Sequence, residues 1–245
     1  MEYAWNWKVF LDRAPGGDAT YLGWLLEGLR WTVGLSAAAW VLALLLGTLL
    51  GVLRTVPGRW LSGIAAAYVE VFRNVPLLVQ LFVWYFVAPE LLPRAWGDAI
   101  KQANPVAQQF AAAWLCLGLF TAARVCEQVR AGIGSLPRGQ REAALALGLT
   151  PPQAYRHVLL PMAYRIIVPP LTSELLNVFK NSAVASTIGL VELSRQSQQL
   201  VDYTAQAYES FIAVTCLYLL INVAVMLVMR RVEARARVPG TIGAR

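Results

Sequence analysis

The chain predicts an all-α integral membrane protein with five transmembrane helices, and three observations carry that expectation. It is 58% hydrophobic and 14% charged, with a mean hydropathy of +0.52. Soluble domains are about 45–50% apolar and about 25% charged, so this chain is too apolar for one. Apolar runs of bilayer length recur along it, and the connections between them are alternately basic and not basic.

Taken in order, residues 1–30 precede the first long apolar run and form an extracytoplasmic segment. Acidic Glu2 and the lack of a basic start argue against a cleaved signal peptide. Crossing a bilayer takes roughly 20 residues. Residues 31–53, WTVGLSAAAWVLALLLGTLLGVL, satisfy this outright, and Gly47 and Gly51 within them suit ordinary close packing. A second span, 60–87, is interrupted by Glu70, Arg73 and Pro76, and Pro76 should kink it. The third covers about 107–130, the fourth about 163–190 and the fifth 211–229. The fourth is the least regular, because Pro169, Pro170, Glu174 and Lys180 fall inside it. Residues 31–229 thus form the membrane domain, and 230–245 form a basic tail.

Charge sets the orientation. Residues 54–59 carry +2, 130–165 carry +4 and the tail carries +4, against −1 for 1–30, 0 for 88–106 and −2 for 191–209. Inside the spans Glu70/Arg73, Arg124/Glu127 and Glu174/Lys180 cancel, so the connections account for the whole formal charge of +7. Lys and Arg collect on cytoplasmic loops. The N-terminus is therefore expected outside and the C-terminus in the cytoplasm, and the basic excess marks topology, with no nucleic-acid partner. Trp24, Trp31, Trp60, Trp84 and Trp114 fall near span ends, as anchors against membrane lipid should.

Chemistry-bearing constellations are scarce. Cys116, Cys126 and Cys216 lie in apolar runs and read as buried free thiols, without CxxC or Cys/His spacing. No metal site or cofactor is expected. His157 has no serine or carboxylate constellation beside it and reads as a packing or surface residue. No catalytic residue is assigned, and an enzyme is not expected.

The cytoplasmic stretch REAALALGLTPPQAYRHVLLP, residues 141–161, parses as two short helices. Pro137 suits a first helical turn, and Gly148 can take the left-handed conformation that ends a helix. Thr150, Pro151 and Gln153 form a capping-box pattern, and Pro161 should stop the second helix. Ala143, Ala144, Leu147, Tyr155 and Leu159 are available to pack.

Glu142-Ala143-Ala144, Gly148 and Val158-Leu159-Leu160-Pro161, at these spacings, resemble the EAA loop of ABC import permeases. Val158 departs from the family's usual Ile. The resemblance implies the type I ABC importer fold with a helix-turn-helix coupling loop over 131–162. It also implies that Glu142 and Ala143 contact an ATPase, with Ala144, Gly148 at the elbow, and Pro161 completing the motif. The alternative is an ordinary amphipathic loop without a partner. The chain has no GxxxxGK[ST] phosphate loop, so ATP, if it drives transport, is hydrolysed by another subunit.

YVEVFRNVPLLVQLFVWYF (68–86), CEQVRAGIGSLPRGQREAALALG (126–148) and KNSAVASTIGL (180–190) resemble the polar amino-acid subfamily of these permeases. With DRAPGGDATYLGW near the start, the chain resembles its glutamate/aspartate transport permeases. That likeness implies a bacterial inner-membrane location and a heterodimer with a second permease. It further implies an ATPase dimer, an extracytoplasmic substrate-binding protein and an acidic amino-acid substrate.

Intramembrane charges are functional candidates by default. Arg73 either faces a pathway or pairs with Glu70 at i, i+3. Arg124 either grips an anionic side chain through its planar fork or snorkels to the cytoplasmic face. Ser173/Glu174, Asn177 and Lys180/Asn181 form a polar stripe that faces either a pathway or another subunit. Lys180 and Glu174 offer a cation and an anion for an amino-acid zwitterion. Two other classes compete. A secondary transporter would typically show inverted repeats, and a membrane-embedded enzyme would need a nucleophile or metal constellation; neither pattern is seen in the sequence.

Overall fold

The computed structural model describes residues 3–236, so Glu2 and residues 237–245 of the basic tail lie outside the described residues. A 3-10 turn, Trp7–Leu11, leads into ten helical pieces: α1 (Tyr21–Leu53), α2 (Arg59–Asn74), α3 (Leu77–Leu91), α4 (Arg94–Gln102), α5 (Pro105–Gly134), α6 (Arg138–Ala146), α7 (Pro151–Ala154), α8 (Leu160–Asn181), α9 (Leu193–Thr204) and α10 (Ala207–Ala236). The only β pairing among the described residues is an isolated bridge between Arg13 and Thr20.

Among these residues, α1, α5 and α10 are each long and apolar enough to cross a membrane. At 33, 30 and 30 residues and about 1.5 Å per residue, each exceeds the hydrocarbon thickness of roughly 30 Å. The pair α2–α3 supplies a fourth candidate as a broken span. Pro76 does more than kink it: Val75 and Pro76 are both extended, with ψ of 130° and 138°, because a residue before proline is driven out of the helical region. The predicted fourth span, α8, has 22 residues but lacks the apolarity of the others, since it carries Arg165, Pro169, Pro170, Glu174 and Lys180.

Several expectations need correction. The helix that carries the first apolar run starts at Tyr21, ten residues before it. Pro161 stops nothing: helix continues from Pro151 through Asn181. A π-type turn, Tyr155–Leu159, precedes the proline, and Leu160 N–H donates to the Tyr155 carbonyl. The widened turn takes up the slack left by the missing proline N–H and its ring. Trp114 lies within α5, and its Nε1 donates to the Ala38 carbonyl at 3.0 Å. Cys116 and Cys126 are buried, but Cys216 is exposed on α10.

Two compact units divide the chain. One comprises Met1–Ala39, Pro76–Leu117 and Asn177–Val223; the other comprises Trp40–Val75, Gly118–Leu176 and Ala224–Arg245. The second is built around Ala43, Ala122, Val125, Val129, Ala163 and Ile167. Small residues decide how closely its helices approach. A Cβ on Gly47 would meet Val125 Cβ at 2.6 Å, and one on Gly51 would meet Val129 Cβ at 2.7 Å, so α1 and α5 touch almost backbone to backbone. Gly132 plays the same part between α5 and α8, where a Cβ would meet Ile167 Cγ2 at 2.6 Å. In the first unit, Glu192 is fully buried at the start of α9. It accepts from Arg195 N–H at 2.9 Å, Tyr218 O–H at 2.9 Å and Thr32 Oγ1 at 3.3 Å, tying α1, α9 and α10 to one carboxylate.

Candidate functional site

The loop at 137–161 holds the first group of candidate residues. Its α6 ends by hydrogen bonds from Gly148 N–H to the Leu145 carbonyl (3.0 Å) and from Leu149 N–H to the Ala144 carbonyl (3.2 Å). This closure needs a left-handed residue, and Gly148 supplies it with φ of 85°. Gln153 Oε1 then accepts from Thr150 N–H at 2.8 Å and Thr150 Oγ1 at 2.9 Å, closing the capping box that starts α7. Ala144, Tyr155 and Leu159 are buried, and Tyr155 O–H donates to the Thr55 carbonyl at 3.0 Å. Glu142 and Ala143 are exposed, and so is Leu147, at 83%. α6 thus turns one face inward and leaves an acidic and apolar face open. Beside it lies an open cleft of about 480 Å³, with Arg138, Arg141, Glu142 and Leu145 on one side and Thr55 and Tyr155 among its other walls. His157 is exposed.

The charges inside the helices do not pair as the sequence arithmetic suggested. Glu127 is held by Arg54, which directly follows α1, and by Arg130, whose Nη2 and Nε lie 2.8 and 3.1 Å from Glu127 Oε2. Glu70 accepts from Asn74 Nδ2 at 3.0 Å, while Arg73 is exposed and makes no ion pair among the described residues. Lys180 is likewise exposed without an ion pair among the described residues, and Asn177 is half-buried.

Arg124 and Glu174 do come together. Arg124 Nη1 lies 3.8 Å from Glu174 Oε2, and the guanidinium carbon sits 4.8 Å from the centre of the Phe120 ring. The side chains are 41% and 14% exposed. One turn along, Gln128 Nε2 donates to the Pro170 carbonyl at 3.4 Å. Contacts 124/174, 128/170 and 132/167 run in opposite directions along the two helices, so α5 and α8 lie antiparallel here. Phe120 and Gln128 escaped the sequence reading, although both stand four residues from Arg124 and hence on its face. Glu192 escaped it as well, counted only as a loop charge; its place before a polar amphipathic stretch was the available signal. Among the described residues no three His, Cys, Asp or Glu side chains gather as a metal centre would require.

Comparison with known proteins agrees with this architecture. Over 244 residues the chain is 59% identical to the glutamate/aspartate import permease protein GltJ of Escherichia coli strain K12, covering 99% of both. It is 33% identical to the glutamine transport system permease protein GlnP of the same organism, over 87% of this chain and 93% of that one. A crystal structure of an amino acid ABC transporter with histidines superposes with a TM-score of 0.73 at 29% identity, covering 88% of this chain and 95% of that chain. The MetNI methionine ABC transporter, facing inward, shares the fold with a TM-score of 0.70 over 89% of this chain and 98% of that one. Residues 43–238 match the family described as binding-protein-dependent transport system inner membrane components. With that match spanning most of its length, on an all-helical frame of long apolar spans, the chain belongs to the family of binding-protein-dependent transport system inner membrane components.

Proposed function

We propose that the chain is the permease subunit of an ATP-driven, binding-protein-dependent importer for L-glutamate and L-aspartate. The observation that carries this reading is the 59% identity to GltJ across nearly the whole of both chains. The chain is a transport component of the inner membrane, and the energy comes from a separate ATPase. Its working partners are a second permease, making a heterodimer, an ATPase dimer and an extracytoplasmic binding protein.

The proposed topology has five spans, α1, the broken pair α2–α3, α5, α8 and α10, with the N-terminus outside and the C-terminus inside. The charge asymmetry of the connections supports it. The loop at 137–161 is the coupling element: ATPase closure pushes on α6 through exposed Glu142 and Ala143, with Ala144 as the buried inward anchor and Gly148 as the elbow. The continuous helix through Pro161 then carries that push into α8 without a joint, which suits a lever better than two separate short helices. Arg73, Arg124, Glu174, Asn177 and Lys180 are the proposed path residues. The loaded binding protein docks outside, at the 88–106 and 191–209 connections, and the substrate passes between the paired permeases by alternating access.

The test is uptake of labelled L-glutamate into proteoliposomes holding both permeases and the ATPase, with ATP inside and the binding protein outside. Uptake should require both and should be competed by aspartate far better than by glutamine, histidine or arginine. Glu142→Lys and Gly148→Val should each lower uptake at least tenfold at equal membrane abundance, because one reverses a docking charge and the other cannot easily hold φ of 85°. ATP-independent uptake would sink the assignment, and normal uptake by both variants would sink the coupling role.

A further inference from the structure

We infer that Arg124, Gln128 and Glu174 form a transit subsite for the zwitterionic head of an α-amino acid, its α-carboxylate on Arg124 and its α-ammonium on Glu174 and Gln128. This rests on the transport reading above and deepens it. It differs from both roles the sequence left open for Arg124, gripping an anionic side chain or snorkelling to the cytoplasmic face.

Donor and acceptor capacity make the case. A guanidinium offers five N–H donors in a rigid fork. Those of Arg124 make no hydrogen bond among the described residues: Nε is buried without a partner, and the carboxylate of Glu174 stands at 3.8 Å, outside the roughly 2.7–2.9 Å of a charge-assisted hydrogen bond. Phe120 supports the cation from one side, so the fork is held in place with its donors unspent. Two acceptors with spare capacity accompany it, Glu174 across on α8 and Gln128 one turn along α5 on the same face. Glu174 is largely buried, and Gln128 Oε1 is buried without a hydrogen-bond partner. Arg124 remains 41% exposed, so the group opens on one side.

Charge balance selects the ligand. Arg124 and Glu174 sum to zero, and a zwitterionic head also sums to zero. Exchanging the loose internal pair for two ligand-bridged pairs therefore adds no net charge to a poorly solvated place. A side-chain carboxylate alone would leave Glu174 buried beside a second anion, which is costly. The group sits about one turn further into α5 than Glu127, whose partner Arg54 follows the end of α1. Because it takes only the zwitterionic head, the subsite would meet every α-amino-acid cargo alike.

The test is equilibrium binding of labelled L-glutamate to the purified permease–ATPase complex in nanodiscs without binding protein, with unlabelled competitors. L-glutamate, L-aspartate and L-glutamine should compete within about threefold of one another, since all share the head. Glutarate, which lacks the ammonium, and 4-aminobutyrate, which lacks the α-carboxylate, should compete at least tenfold worse. Glu174→Gln should narrow the gap between glutarate and L-glutamate. Arg124→Gln should weaken all three amino acids together and leave their ratios unchanged. The double variant, neutral at both positions, checks that losses do not come from one stranded charge. A tenfold preference for glutamate over glutamine that Arg124→Gln abolishes would overturn the head-group assignment, as would no binding to the wild-type complex. Either result leaves the importer reading standing if the same complex with its binding protein still shows ATP-dependent uptake. Loss of that uptake in the wild-type complex would sink the importer reading instead.

Discussion

Glu192 shows at the level of one side chain how a charge becomes structural. It is fully buried, and burial pushes its carboxyl above the ordinary 4.5, against opposing hydrogen bonds from Ser194 and Arg195 N–H, Tyr218 and Thr32. The sign follows from linkage. Above pH 4.5 an unfolded Glu192 releases its proton while the folded one keeps it, so its contribution to stability falls as pH rises toward the raised folded value. The melting temperature of Glu192→Gln relative to wild type should therefore climb between pH 4.5 and pH 7 in detergent. Parallel profiles for the two proteins would show that Glu192 carries no such linkage. Arg124 teaches a complementary lesson. Its sequence neighbour Glu127 is occupied by Arg54 and Arg130, so its ion-pair partner comes from another helix, at Glu174.

Among the elements, α1 reads differently on its two faces. Gly47 and Gly51 leave room for α5 and nothing else, with the Ala122 and Cys126 carbonyls at 2.8 and 2.9 Å from a Cβ placed on each. Gly34, on the same helix, has nothing within 4 Å. Gly51→Leu should cost about 1–3 kcal/mol by overpacking, read as a melting temperature several degrees lower and a loss of monodisperse protein. Gly34→Leu should stay within about 0.5 kcal/mol of wild type. Equal losses at both positions would mean that α1 does not pack through its glycine seam. The continuous helix through Pro161 is the other element-scale result. The π-type turn at Tyr155–Leu159 makes room for Pro161, and Pro169 and Pro170 likewise lie inside α8 without ending it.

For the whole molecule, the charge asymmetry of the connections predicts an orientation that labelling can test. Pro57 and Asp98 are both exposed in connections of opposite predicted sidedness. In a Cys216→Ser background, Asp98→Cys should react with a membrane-impermeant maleimide in intact spheroplasts. Pro57→Cys should react only after permeabilisation. The reverse pattern would invert the topology and place the loop at 137–161 outside, away from any ATPase. Buried Cys116 and Cys126 should stay silent in both conditions.

The sequence by itself determined the membrane class, the long apolar helices, the capped turn at Gly148–Gln153 and the resemblance that the comparisons support. These are local or compositional: apolarity over a window, a glycine that alone tolerates φ of 85°, a Thr and Gln three residues apart. Only the tertiary structure decided which charges meet, that α2 and α3 break apart at Val75 and Pro76, and that Pro161 lies inside a helix. Helical spacing restricts a residue to a face but not to a partner, and several acids and bases here share faces with more than one opposite charge. Which pair forms depends on how close two backbones come. Between α5 and α8 that closeness is set by Gly132, about two turns along α5 from Arg124, while Gly47 and Gly51 set it between α1 and α5.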